Sequence, residues 1–144
     1  MDRWLPESGN WMQRVVSDKE LIARAKDARV RAYAPYSSFQ VGAALLGENG
    51  EIFLGCNVEN ISYGLTLCAE RVAVVAAVQA GISAFSTVAV VSDSGEPVMP
   101  CGACRQVLAE FSPGMRILGA TLSGHITAVQ LSELLPRPQQ GILG

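Results

Sequence analysis

Four cysteines and one glutamate carry the chemistry of this chain: Cys56, Cys68, Cys101, Cys104 and Glu70. Cys68 and Cys101 each fall where a helix is expected to begin. Cys104 lies one turn beyond Cys101, on the same helical face. A helix N-terminus offers free N–H groups and partial positive charge, both of which favour a thiolate over a thiol. Two such ends meeting at one point would present three thiolates to one cation. Zinc fits that donor set, and its catalytic sites use three protein ligands with a fourth position left for water. Glu70 follows Cys68 by two residues, in the first turn of the same helix, and would stand beside the metal without ligating it. A carboxylate placed there can take a proton from an activated water and return it to a substrate nitrogen. Parts of the pattern also suit other chemistry. Redox dithiols and structural zinc sites share the Cys-x-x-Cys spacing. With Cys56 as a fourth thiolate the site would be closed and purely structural. Cys56 falls in the middle of an expected strand, however, where cysteine more commonly serves as a small buried apolar residue.

The elements that position these residues follow from local pattern. Ser17-Asp18-Lys19-Glu20 reads as a capping box. Leu21, Ile22, Ala25, Ala28 and Ala32 then recur at helical spacing until Pro35 stops the helix. Gln40 to Leu46 reads as a strand despite the weak strand formers Gly42, Ala43 and Ala44. Asn49-Gly50 makes a tight hairpin, Ile52 to Val58 returns, and Glu59 to Thr66 is loop. A helix over 68–80 is closed by Gly81. Thr87 to Val91 is a buried strand, Ser92 to Pro100 a loop, and 101–111 a third helix. Met115 to Thr121 and His125 to Val129 are two further strands, and Leu131 to Leu135 is a short final helix ended by Pro136. This alternation predicts an α/β fold: three layers, α-β-α, around a mixed five-stranded sheet. Between Val72 and Val78 every residue is apolar, so that helix has no face for water. It is expected to pack on the sheet with one side and on a neighbouring subunit with the other. A helix covered on all sides by its own chain is the alternative.

At 144 residues the chain has the size of one domain, expected over 17–144 behind a loosely attached arm over 1–16. With 49% hydrophobic and 17% charged residues it is too apolar for a disordered chain. Eleven basic against thirteen acidic residues, a net charge of −2, argue against a protein that grips nucleic acid by its phosphates. The longest apolar stretch, Val72 to Val78, is too short to span a bilayer. The first sixteen residues interleave Asp2, Arg3, Glu7 and Arg14 with Trp4, Pro6 and Trp11, which is no secretory signal. Free cysteines without such a signal point to the cytoplasm.

Cys68-Ala69-Glu70 followed by Pro100-Cys101-Gly102-Ala103-Cys104 matches the zinc-deaminase signature with cysteine in place of histidine. Ala34 to Leu46 (APYSSFQVGAALL), Gly55 to Asn60 (GCNVEN), Cys68 to Arg71 (CAER), Pro100 to Gln106 (PCGACRQ) and Glu133 to Pro136 (ELLP) together resemble the short, homotetrameric cytidine deaminases, from Ser17 to Pro136. The resemblance implies hydrolytic deamination of cytidine and 2′-deoxycytidine in pyrimidine salvage, with one zinc per subunit. It implies Cys68, Cys101 and Cys104 as zinc ligands and Glu70 as the proton shuttle. It gives Arg71 the task of offsetting thiolate charge, with Arg105 as a second candidate. Asn57 and Glu59 would hold the 3′-hydroxyl of the ribose, Phe39 would pack on the pyrimidine, and the Ala69 backbone would read the base edge. Tyr63 would close the pocket of an adjacent subunit, giving shared active sites.

One departure stands out. The family carries a phenylalanine shortly after Leu-Leu-Pro, whereas Arg137 to Gly144 hold no aromatic residue. Ile142 or Leu143 would have to substitute, or a more open pocket would admit bulkier 4-substituted pyrimidines. His125, the lone histidine, sits at a turn and reads as a surface residue. Two rivals remain at this stage: a deaminase of modified cytosine nucleosides such as blasticidin S, and a non-catalytic structural zinc protein.

Overall fold

The structure, a computed structural model, describes residues 15–138. The expected arm lies outside the described residues except for Val15 and Val16, as do Ile142 and Leu143. In chain order the elements are α1 (Asp18–Arg29), β1 (Val41–Gly47), β2 (Ile52–Cys56), a 3-10 turn (Tyr63–Leu65), α2 (Ala69–Gln79), β3 (Phe85–Ser92), α3 (Gly102–Phe111), β4 (Arg116–Thr121), β5 (Ile126–Gln130) and α4 (Leu131–Leu134). The strands form one sheet in the order β2-β1-β3-β4-β5. All neighbours are antiparallel except β3 and β4, whose parallel pairing requires the crossover that α3 supplies.

Period-two alternation divides the core into two layers. Ala43, Leu45, Val88, Val90 and Ile117 face α2, α3 and α4, where Ala73, Val74, Ala77 and Leu108 are buried. Ala44, Ala89, Val91, Leu118 and Ala120 face the other way, onto Leu21 and Ala25 of α1. The small residues that looked like poor strand formers have a steric reason. A Cβ on Gly42 would lie 2.0 Å from the Ala25 carbonyl oxygen, and one on Gly55 would lie 2.2 Å from that of Ala69. A helix can therefore lie directly on each face of the β1–β2 hairpin, and pairing on both edges of β1 makes up for low strand propensity.

Several expectations are corrected. The first helix ends at Arg29, short of Ala32, because the chain turns there to set Tyr33 beside Val58. Ser17 does cap it, accepting the Glu20 N–H at 3.1 Å. The second strand ends at Cys56 and the third starts at Phe85, so Cys56 closes a strand and is not in the middle of one. The region between Glu59 and Thr66 contains a helical turn, fixed where Val58 pairs with Leu67. The second helix is not covered all round: among the described residues nothing shields its outer side, where Val75 is 60% and Val78 43% exposed.

Candidate active site

The start of α2 and the start of α3 meet on one face of the sheet. Cys68 is the N-cap of α2, Cys101 is the N-cap of α3, and Cys104 lies in the first turn of α3. Their sulfurs lie within 4.8 Å of one another. Cys68 to Cys101 is 3.8 Å and Cys101 to Cys104 is 3.5 Å. Sulfurs at corners of a tetrahedron with zinc–sulfur bonds near 2.3 Å would be about 3.8 Å apart, so the donor set fits zinc. All four cysteines are free. Cys56 does not join the cluster. It is half-buried on the α1 side of the sheet, as Leu54 is, while Gly55 between them faces α2. A closed four-sulfur site is therefore absent among the described residues.

The electrostatics favour a bound cation. A hydrogen bond from the Cys104 thiol, aided by Arg71 and Cys101 and opposed by burial, pulls the Cys68 thiol down to about 5. Cys104 is pushed up, first because it donates to Cys68, then by burial and by the charges of Glu70 and Cys68. Cys68 thus forms a thiolate readily while ionisation of Cys104 beside it is opposed, a balance that a divalent cation would reverse by neutralising the charge. Arg71 reaches the cluster directly: its Nη2 donates to the Thr66 carbonyl at 3.2 Å and to Cys68 Sγ at 3.4 Å.

Glu70 is 4% exposed, in the first turn of α2. Burial raises its carboxyl above the ordinary range and the Cys68 charge adds to that. Its own backbone N–H, the Cys104 thiol and Arg71 act the other way. Glu70, Cys68 and Cys101 open onto a cavity of about 200 Å³ whose walls include Phe39, Asn57 and Ala69. Thr66, Val98 and Met99 also line it and were not singled out in the sequence. Their one available signal was position, since Val98 and Met99 directly precede Pro100-Cys101.

Asn57 and Glu59 do not share one cavity. Asn57 stands in the metal-side cavity. Its Oδ1 accepts the Val41 N–H at 2.9 Å and its Nδ2 donates to the Phe39 carbonyl at 2.8 Å. Glu59 lines an adjoining cavity with Tyr36, Ser37 and Tyr63, and Thr66 lines both. Tyr63 is 90% exposed and contributes nothing to the metal-side cavity of its own chain. Arg105, the second candidate for charge compensation, has a different position. Its Nε donates to the Pro100 carbonyl at 2.7 Å and its Nη1 to the Leu134 carbonyl at 3.3 Å, so it braces the turn before Cys101 against α4. His125 is exposed at the β4–β5 turn.

Fold and site together define a class: an α-β-α protein with three cysteine sulfurs that could hold a zinc ion beside a cavity lined by a buried carboxyl. Comparison with known proteins narrows the class. The cytidine and deoxycytidylate deaminase zinc-binding region matches residues 15–120. Cytidine deaminase of Sporosarcina psychrophila is 52% identical over 119 residues, covering 82% of this chain and 88% of that protein. The Mycobacterium tuberculosis enzyme is 45% identical over 116 residues, 81% of this chain and 84% of its own. The crystal structure of cytidine deaminase from Burkholderia pseudomallei superposes with a TM-score of 0.82 at 46% identity, covering 84% of this chain and 98% of that one. The chain belongs to the cytidine and deoxycytidylate deaminase family.

Proposed function

We propose that this protein deaminates cytidine and 2′-deoxycytidine hydrolytically, giving uridine or 2′-deoxyuridine and ammonia, as a step of pyrimidine salvage. The observation that carries the reading is the convergence of three cysteine sulfurs at two helix starts, with Glu70 buried in the same cavity and no fourth cysteine joining them among the described residues. Cys68, Cys101 and Cys104 would hold one zinc ion. When bound, zinc supplies a Lewis acid that makes water nucleophilic near neutral pH. Glu70 moves the protons: its carboxylate takes one from the attacking water, passes it to ring N3, and later delivers a proton to the departing amine. Its burial excludes bulk water from those transfers. Arg71 holds Cys68 as a thiolate and accepts part of its charge.

Phe39 packs on the pyrimidine, and the Ala69 backbone reads its edge. Asn57 retains one N–H and one lone pair beyond its loop contacts. Glu59 has Oε1 filled by two backbone donors and keeps a free lone pair on Oε2. Where the two cavities adjoin at Thr66, those free groups suit the hydroxyls of one sugar, which favours a free ribose over the blasticidin-like rival. No lysine or arginine lines either cavity among the described residues, so nothing there would balance a substrate phosphate. A nucleoside therefore suits the site better than a nucleotide, and the net charge of −2 disfavours a polynucleotide. The catalytic unit is taken to run over 17–144, as a homotetramer in which Tyr63 closes a neighbour's pocket. The four free thiols suit the cytoplasm, and no described helix is long and apolar enough to cross a membrane.

The test is a spectrophotometric assay of cytidine, 2′-deoxycytidine, deoxycytidylate and blasticidin S, with zinc content measured in parallel. Both nucleosides should be turned over. Glu70→Gln should keep zinc and lose at least about a hundredfold in kcat, the scale of a lost acid–base group. Cys56→Ala should change neither zinc content nor rate. Loss of zinc in Cys56→Ala, or full activity in Glu70→Gln, would sink the reading.

A further inference from the structure

We infer that Ser37 is a positioning residue for the nucleoside: its hydroxyl links the Glu59 carboxylate to the backbone of Phe39 and so fixes the aromatic ring at the metal-side cavity. The inference rests on the proposed function and adds a residue to it. The relevant segment is the loop Tyr36-Ser37-Ser38-Phe39 between α1 and β1. Glu59 Oε1 accepts the N–H groups of Tyr36 at 2.9 Å and Ser37 at 3.1 Å. Glu59 Oε2 accepts the Ser37 hydroxyl, and that hydroxyl oxygen accepts the Phe39 N–H at 3.0 Å. Ser37 therefore spends its one proton on the carboxylate and a lone pair on Phe39, a combination that needs a short side chain able to give and to accept. On the far side of Phe39, its carbonyl receives Asn57 Nδ2 at 2.8 Å. Both peptide groups of Phe39 are thus held by side chains.

Backbone geometry supports the latch independently. Ser38, between the two held residues, has φ of 60°, in the left-handed region that non-glycine residues seldom occupy. Its N–H donates to the Ala34 carbonyl at 3.0 Å, and its side chain makes no hydrogen bond among the described residues. Such a conformation persists where surrounding contacts over-determine it, and such places cluster at ligand clamps. If Ser38 relaxed to negative φ, the chain after it would swing and carry Phe39 with it. Phe39 is 39% exposed, so packing alone does not fix its ring. The Ser37 hydroxyl, followed by the two loop N–H groups, also holds the Glu59 carboxyl below its usual range, which keeps it an acceptor. The latch therefore sets the ring and the free oxygen of Glu59 together, one for the base and one for the sugar.

The experiment compares cytidine kinetics, zinc content and thermal melting for wild type, Ser37→Ala, Ser37→Thr, Ser38→Asn and Ser38→Val. Ser37→Ala should raise KM about tenfold, the scale of losing a charge-assisted hydrogen bond, with kcat within about twofold and zinc unchanged. Ser37→Thr keeps the hydroxyl and should restore KM. Asparagine tolerates the left-handed region and valine does not, so Ser38→Val should raise KM as Ser37→Ala does, while Ser38→Asn should not. Unchanged KM in folded, zinc-loaded Ser37→Ala and Ser38→Val overturns the assignment. So does a loss confined to kcat, or a failure of threonine to rescue. A wild-type chain inactive on cytidine overturns the functional reading itself, and the Ser37 assignment with it. An active wild type with unaltered variants overturns the Ser37 assignment alone.

Discussion

Three thiolates around a divalent cation leave one net negative charge, and every anion that approaches must contend with it. In the proposed site Arg71 would relieve this, since it touches Cys68 Sγ while anchored on the Thr66 carbonyl. Arg71→Gln removes the charge and keeps most of the bulk. It should weaken zinc binding about ten- to a hundredfold, the usual cost of losing such a partner, as read by competition with a chromogenic chelator. The charge-bearing residues were legible in the sequence because Cys68, Glu70, Cys101 and Cys104 owe their placement to helix starts, which are local. Thr66, Met99 and the brace made by Arg105 were not. Their contacts join segments distant along the chain, and no periodicity marks them. Asn57 and Glu59 were read as facing one way. The structure has them both gripping the loop before β1 while opening onto different cavities.

At the scale of elements, the site depends on how closely α2 can lie on β2. Gly55 sets that distance, because a methyl group there would meet the Ala69 carbonyl at 2.2 Å and the Ala73 nitrogen at 2.6 Å. Ala69 stands between a sulfur donor and the buried carboxyl, so a shift of this segment disturbs both. Gly55→Ala should cost about 1–3 kcal/mol by overpacking and should also loosen zinc. Gly95→Ala, which meets nothing within 4 Å, should do neither. Thermal melting of the zinc-loaded and chelator-treated proteins separates the two effects. Element type and order could be read from the chain, since Pro35, Asn49-Gly50, Gly81 and Pro113-Gly114 are strong punctuation. The exact ends could not, because α1 stops where Tyr33 finds Val58 and not where the proline falls. The small residues of β1 and β2 misled on propensity for the same reason: their task is to admit a helix on each face, which only the packed structure reveals.

For the whole molecule, the outer side of α2 is where the proposed homotetramer would find an apolar contact surface. Val75 and Val78 are exposed there, and Ile61, Tyr63 and Leu65 are exposed on the loop that precedes the helix. The uninterrupted apolar run from Val72 to Val78 carried the expectation of a subunit contact, and in the single chain Val75 and Val78 of that run are left exposed. Val75→Glu should convert the assembly to smaller species in sedimentation equilibrium with the far-ultraviolet circular dichroism unchanged. Deamination should fall with it if, as proposed, Tyr63 closes a neighbour's cavity in the tetramer. A single species of unchanged mass would remove α2 from the interface.

The separation of Cys68 from Cys101 along the chain has a consequence for biogenesis. Before β3 has docked against β1, a nascent polypeptide can offer an ion only the Cys101–Cys104 chelate, which is too weak and too mobile to retain it. In the proposed zinc site, metallation would therefore be a late event that certifies completed topology. A misassembled copy would stay thiol-bearing and exposed to oxidation, whereas a correct one would be sealed by the ion it captures.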